Sequence, residues 1–192
     1  MTVDVEDYFQ VSGMDQCVDR SDWDNIESRV ERSTHRLLDL FSETNLQGTF
    51  FILGWVADRF PKLVKQIADS GHELASHGFC HRLVYSIDAA EFADDVKRSC
   101  DAIEFACGIR PIAYRAPSFS ITKDSLWALN VLAELGLTQD SSIFPIRGHH
   151  RYGVPDAKKE IHERETTASR IMEITHTVAR LAKAPLPDGG GN

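Results

Sequence analysis

His77 and His81, within Gly71-His72-Glu73-Leu74-Ala75-Ser76-His77-Gly78-Phe79-Cys80-His81, are the side chains of this sequence best suited to chemistry. Two imidazoles at that spacing can meet one metal ion from a single helical turn or from a tight loop after a strand. Alone, the spacing describes two solvated loop histidines just as well. An acidic run at the start of the chain, Asp4-Val5-Glu6-Asp7, shifts the weighing. Two imidazoles and one carboxylate leave coordination positions open for water and substrate, as a catalytic metal requires. Asp4 and Glu6, two residues apart, share one face of an extended segment, whereas Asp7 points the other way unless the chain turns there. For all three carboxylates the plain alternative is an acidic loop in water.

Two later stretches end apolar runs with charged groups. In Tyr114-Arg115-Ala116-Pro117-Ser118-Phe119-Ser120, an arginine at a strand end precedes a proline that sets the turn. Such an arginine suits orienting a catalytic carboxylate, and equally a structural ion pair. In Gln139-Asp140-Ser141-Ser142-Ile143-Phe144-Pro145, Asp140 suits tuning a proton donor or capping a turn.

The elements that deliver these groups alternate between strand and helix, which reads as α/β with a largely parallel sheet. Strands are expected over residues 1–5, 48–53, 72–76, 111–114, 137–140 and 171–174. Residues 6–26 read as irregular. The spacing predicts helices over 31–44, with Leu37, Leu38 and Phe41 on one stripe, and from Pro61 to the stop at Gly71. Asp88-Ala89-Ala90-Glu91 resembles a capping box that opens a helix running to Gly108, and Thr122 caps another ending at Gly136. Candidate groups follow the first, third, fourth and fifth strands, and such ends converge at one mouth when the sheet curls into a barrel.

At 192 residues the chain reads as one domain, and 42% hydrophobic with 26% charged residues is enough to build a core. A net charge of -8 and a pI near 5.4 leave no basic stripe for nucleic acid. No run approaches the ~18 apolar residues of a membrane span. The opening Met-Thr-Val-Asp-Val-Glu-Asp lacks a leader's basic flank and apolar core, so a cytoplasmic location is expected. Cys17, Cys80, Cys100 and Cys107 form no CxxC pair and read as reduced thiols, with Cys80 placed where a thiolate could add to a metal site. The ending Leu186-Pro187-Asp188-Gly189-Gly190-Gly191-Asn192 suggests a barrel whose closing elements need more chain.

Together these motifs resemble the polysaccharide deacetylase superfamily (NodB homology, carbohydrate esterase family 4). The resembling residues are Val3 to Phe9, Thr49 to Trp55, Gly71 to Gly78, Tyr114 to Ile121 and Asp140 to Pro145. Within that superfamily they are most similar to the branch tied to exopolysaccharide and exosortase (PEP-CTERM) loci. The resemblance implies a deformed (β/α)7-type barrel and metal-dependent removal of N-acetyl groups from amino sugars of a polysaccharide. It implies zinc, with cobalt or nickel as alternatives, on His77, His81 and a carboxylate. The wider superfamily places that carboxylate where this chain has Val5, so the role passes to Glu6, with Asp7 as the fallback. By the same resemblance Asp4 is the general base, Arg115 holds it, and the Ser118 backbone N–H is an oxyanion donor. The family's proton donor is a histidine on a late strand, and His176 is the late histidine that fits its place, while Asp140 keeps its two readings, tuning such a donor or capping a turn. His149 and His150 suit a substrate contact or a surface loop, and His35 and His162 the surface. Two alternatives keep parts of this pattern: an amidohydrolase acting on a small amide or ureide, and a degenerate barrel that binds glycans without hydrolysing them.

Overall fold

The computed structural model describes residues 1–147, 149 and 151–176, and the backbone of two further strands at Val178–Leu181 and Ala184–Pro187. It forms two compact units, Met1–His81 with Asp95–Pro111, and Arg82–Asp94 with Ile112–Asn192.

In the first unit β1 (Thr2–Val5), β2 (Thr49–Ile52) and β3 (Glu73–Ser76) run parallel, with Asp4, Phe51 and Ala75 in one register row. The apolar run expected to be a strand is one, and its successive residues Phe50 and Phe51, which point to opposite faces, are both buried, as in a strand covered on two faces. Helix α1 (Val30–Glu43) buries Val30, Thr34, Leu38 and Phe41 at helical spacing. Leu37, expected on that stripe, is only half-buried. Helix α3 (Pro61–Asp69) starts on its proline and buries Leu63, Val64 and Ile67 as expected. Between β2 and α3 lies α2 (Gly54–Arg59), which the sequence did not suggest. The stretch expected to be irregular holds two 3-10 turns, Ser12–Met14 and Arg20–Asn25. It is pinned by Phe9 and Trp23, whose rings meet Trp55 at 6.1 and 5.8 Å.

Helix α4 (Ala89–Cys107) opens on the expected capping box: the Glu91 N–H donates to Asp88 Oδ1 at 2.9 Å, and the Asp88 N–H to Glu91 Oε2 at 3.2 Å. Gly108, at φ 78°, ends it.

In the second unit β4 (Ala113–Tyr114), β5 (Gln139–Asp140) and β7 (Arg170–Glu173) are parallel. Strand β6 (His162–Glu165) joins β7 antiparallel as a hairpin. Its sequence, His-Glu-Arg-Glu, has no apolar face, so periodicity could not reveal it. The helix expected from Thr122 to Gly136 is divided. Thr122 and Ser125 make a capping box on a 3-10 turn, and α5 (Ala128–Glu134) follows separately. The last strands, β8 (Val178–Leu181) and β9 (Ala184–Pro187), pair antiparallel. The architecture is therefore α/β with mostly parallel strands, and none of the described helices is long and apolar enough to cross a membrane.

Candidate metal centre

The segment after β1 turns, and that turn decides what its carboxylates do. Asp7 is buried and faces the start of α1. Its Oδ1 accepts the Tyr8 and Arg29 amides at 3.1 Å each, and its Oδ2 accepts the Arg29 and Val30 amides at 3.0 and 3.3 Å. The Ser28 hydroxyl donates to the same oxygen. Asp7 thus satisfies the orphan donors at a helix N-terminus. Its oxygens are taken up by these donors, and Glu6 rather than Asp7 joins the histidine cluster.

Glu6 goes to the histidines. Ligand atoms of Glu6, His77 and His81 all lie within 4.8 Å of one another. Glu6 Oε2 is 2.9 Å from His81 Nε2, yet it accepts no aligned hydrogen bond among the described residues, and neither does His81 Nδ1 find a partner. The His77 and His81 rings are 5.4 Å apart, and each histidine is 2% exposed. Two buried imidazoles and a half-buried carboxylate at this spacing suit a divalent cation of the zinc type. Asp4 lies two residues before Glu6, on β1 beside Phe51.

The loop carrying the histidines is held from several sides. Its first anchor is the His77 amide, which donates to the Ile52 carbonyl at 2.9 Å. Asp95 on α4 then accepts the Phe79 amide at 2.7 Å and the Cys80 amide at 3.1 Å. At the start of α2, the Gly54 and Trp55 amides donate to the Gly78 and Phe79 carbonyls at 2.8 and 3.1 Å. Arg20 donates through Nε to the Cys80 carbonyl at 2.8 Å and through Nη2 to that of His81 at 3.3 Å. These bonds hold His81 at φ 50°, a left-handed conformation unfavourable for a residue with a side chain. Cys80 thus serves this loop through its backbone, and the ligand cluster is formed without it.

The second unit gathers another set. Arg115 donates through Nε to the Ser141 carbonyl at 3.3 Å and through Nη2 to the Ser141 hydroxyl at 3.2 Å. After Pro117 the chain passes through Ser118 and Phe119 at φ 49° and 52°, two consecutive left-handed residues that mark a strained turn. His176 stacks on Phe144 at 5.0 Å and meets Phe119 edge-on at 4.4 Å. Its Nε2 lies 3.0 Å from the Ser141 carbonyl, which fixes Nε2 as the protonated nitrogen. Asp140 is fully buried, with Oδ2 accepting the Ser142 amide at 2.9 Å and Oδ1 the Ser142 hydroxyl at 2.6 Å. Burial pushes its carboxyl above the usual range, and the Ser142 bonds partly offset that.

Of the remaining histidines, His35 meets Gln66 at 2.8 Å on the surface. His149 is exposed, stacks on Tyr152 at 3.7 Å and accepts the Arg151 amide. His162 lies on β6, and His150 is outside the described residues. Sequence reasoning missed Asp95, Arg20 and Glu173. No local signal marks the first two. A glutamate inside the apolar run Ile171-Met172-Glu173-Ile174 was a readable sign of a buried carboxyl.

The polysaccharide deacetylase family profile matches residues 20–139. The chain is 30% identical over 96 residues to a peptidoglycan-N-acetylglucosamine deacetylase of Bacillus cereus, covering 50% of this chain and 35% of that protein. It is 31% identical over 101 residues to a chitooligosaccharide deacetylase of Bradyrhizobium, covering 52% of this chain and 43% of that one. The chain thus spans less than half the length of these relatives. A solved structure from Mycobacterium smegmatis assigned to the polysaccharide deacetylases superposes with a TM-score of 0.72 at 24% identity, covering 92% of this chain and 57% of that one. That likeness is one of fold.

Proposed function

Because this chain belongs to the polysaccharide deacetylase family, we propose that it is a metal-dependent hydrolase that removes N-acetyl groups from amino sugars of a polysaccharide. The observation carrying this reading is the convergence of ligand atoms of Glu6, His77 and His81 within 4.8 Å, with both histidines buried. Relatives named as deacetylases of peptidoglycan N-acetylglucosamine and of chitooligosaccharide support the acetamido-sugar substrate class. The resemblance of the motifs Val3 to Phe9, Thr49 to Trp55, Gly71 to Gly78, Tyr114 to Ile121 and Asp140 to Pro145 to the branch tied to exopolysaccharide loci favours an exopolysaccharide as the polymer.

Glu6, His77 and His81 would hold the cation, zinc by the donor set, which supplies Lewis-acid polarisation and a more acidic water at neutral pH. Asp4 takes the proton from the attacking water as general base. Arg115 holds the catalytic base in orientation, and the Ser118 backbone N–H donates to the developing oxyanion. His176 returns a proton to the leaving amine, and Asp140 sets the polarity of the strand end before it.

The test is acetate release from N-acetylglucosamine oligomers, with and without added zinc or cobalt, for the wild type, Asp4→Asn and His77→Ala. Metal-dependent release lost in both variants supports the reading. Metal retained through His77 with no release from any oligomer overturns it in favour of a non-hydrolytic glycan binder. Release from a small amide or ureide alone would make it an amidohydrolase of that class.

A further inference from the structure

Asp140 and Glu173 are partners in the parallel register of β5 and β7, and both have 0% of their surface exposed. Asp140 has a donor for each oxygen, both from Ser142. No donor reaches either Glu173 carboxyl oxygen with hydrogen-bond geometry among the described residues, and the Ile143 amide, which faces this carboxyl and favours its charge, is outweighed by burial. An ionised carboxylate buried on those terms is costly, and two ionised carboxylates side by side are costlier. A carboxylic acid, by contrast, brings its own O–H, and the oxygens of Asp140 can accept more than one bond each. We propose that Asp140 and Glu173 form a carboxylate–carboxylic acid pair sharing one proton, held on Glu173, and that Glu173 thereby positions the turn carrying Arg115 and Ser118.

The electrostatics agree with the geometry. Burial, then the negative charge of Asp140, pushes the Glu173 carboxyl up to about 10. The Ser142 bonds favour charge on Asp140, which places the proton on its neighbour. The charged and titratable groups facing the pair are Arg115, Arg164 and, opposite Glu173 on β6, His162. From Asp140 the linkage continues outward. The Ser142 hydroxyl, donating to Asp140, accepts the Ala116 amide at 2.8 Å, one residue before Pro117. Ser141 receives Arg115 and donates through its hydroxyl to the Ile174 carbonyl at 3.0 Å, tying the same strand ends together. An ionised Glu173 would repel Asp140 and loosen both connections.

The positioning role rests on the deacetylase reading, whereas the shared proton does not, so the experiment separates them. In protein carrying 13C-carboxyl glutamate, infrared spectra at neutral pH should show a carboxylic-acid band, absent from Glu173→Gln. Only ionised glutamate bands in the wild type would overturn the pair, whether or not any variant folds. In denaturant titrations the wild-type folding constant should fall with rising pH, relative to Glu173→Gln, by up to about tenfold per unit. Parallel profiles would overturn it. In acetate release, Glu173→Gln, which keeps a donor, should retain kcat, while Glu173→Leu should lose at least about tenfold in kcat with KM little changed. A fully active Glu173→Leu overturns the positioning role. No release even from wild type is a failure of the deacetylase reading, and the infrared band then decides the pair by itself.

Discussion

Asp95 accepts the Phe79 amide at 2.7 Å, and through that bond α4 governs a loop whose two ends are His77 and His81. The same carboxylate takes the Cys80 amide, so two successive N–H groups between the histidines converge on one side chain. Charged acceptors of this kind contribute roughly twice what neutral ones do. The spacing of the imidazoles is therefore preset by a residue that offers no ligand atom.

Asp95→Ala should keep the fold and lower zinc affinity about 10–100-fold, the usual cost of losing a group that orients metal ligands. Calorimetric zinc titration beside circular dichroism checks this. Unchanged affinity would mean that the loop holds its shape without Asp95.

Glu6 and Asp7, adjacent in sequence, should separate cleanly by variant. Glu6→Gln should weaken zinc binding with little change in stability. Asp7→Ala removes a helix cap and strands buried amides, so it should cost about 1–3 kcal/mol in denaturant unfolding and leave the zinc affinity of folded protein intact. The reverse pattern would make Asp7 the ligand.

Gly54 sits where a Cβ would lie 2.5 Å from the Phe79 ring and 2.7 Å from Ser99 Cα. Because the Ser99 contact is backbone, the clash cannot be relieved by one side-chain rotation. Gly54→Ala should lose about 1–3 kcal/mol of stability. Gly13→Ala, with nothing within 4 Å of the added carbon, is the control and should be neutral.

His72 should make the protein acid-sensitive in one window. Its ring packs against Phe50 at 4.8 Å and Phe41 at 5.5 Å, and burial holds its pKa below the ordinary 6.5. Above 6.5 neither folded nor unfolded chain protonates it, so its contribution is fully present. As pH falls below 6.5, the unfolded chain binds the proton that the folded one refuses, and stability drops. His72→Leu should flatten that slope. Urea midpoints of both proteins across the acid range test it, and identical slopes would acquit His72.

Much of the scaffold was legible because its signals are local. Pro61 with Leu63, Val64 and Ile67 marks a helix within a few residues, and Asp88 with Glu91 marks a cap within one turn. Helix α2 was not legible, since Gly54 and Trp55 spend their amides on carbonyls of a loop over twenty residues away. Strand β6 was hidden because its four polar residues show no apolar alternation, and its existence depends on the neighbouring β7.

The sequence by itself determined the chemical ingredients of each unit: in the first, two imidazoles at a four-residue interval and a run of carboxylates at the end of the first strand, and in the second, an arginine and an aspartate at later strand ends. Side-chain chemistry and short-range spacing are properties of the chain. Only the tertiary structure decided their use. Asp7 turns from the histidines because Ser28, Arg29 and Val30 need an acceptor, and those donors stand more than twenty residues along the chain. The orientation of the loop between the histidines comes from Asp95, and the setting of Asp140 from Glu173. Both partners lie at separations over which local backbone geometry carries no information, because only burial brings such groups together.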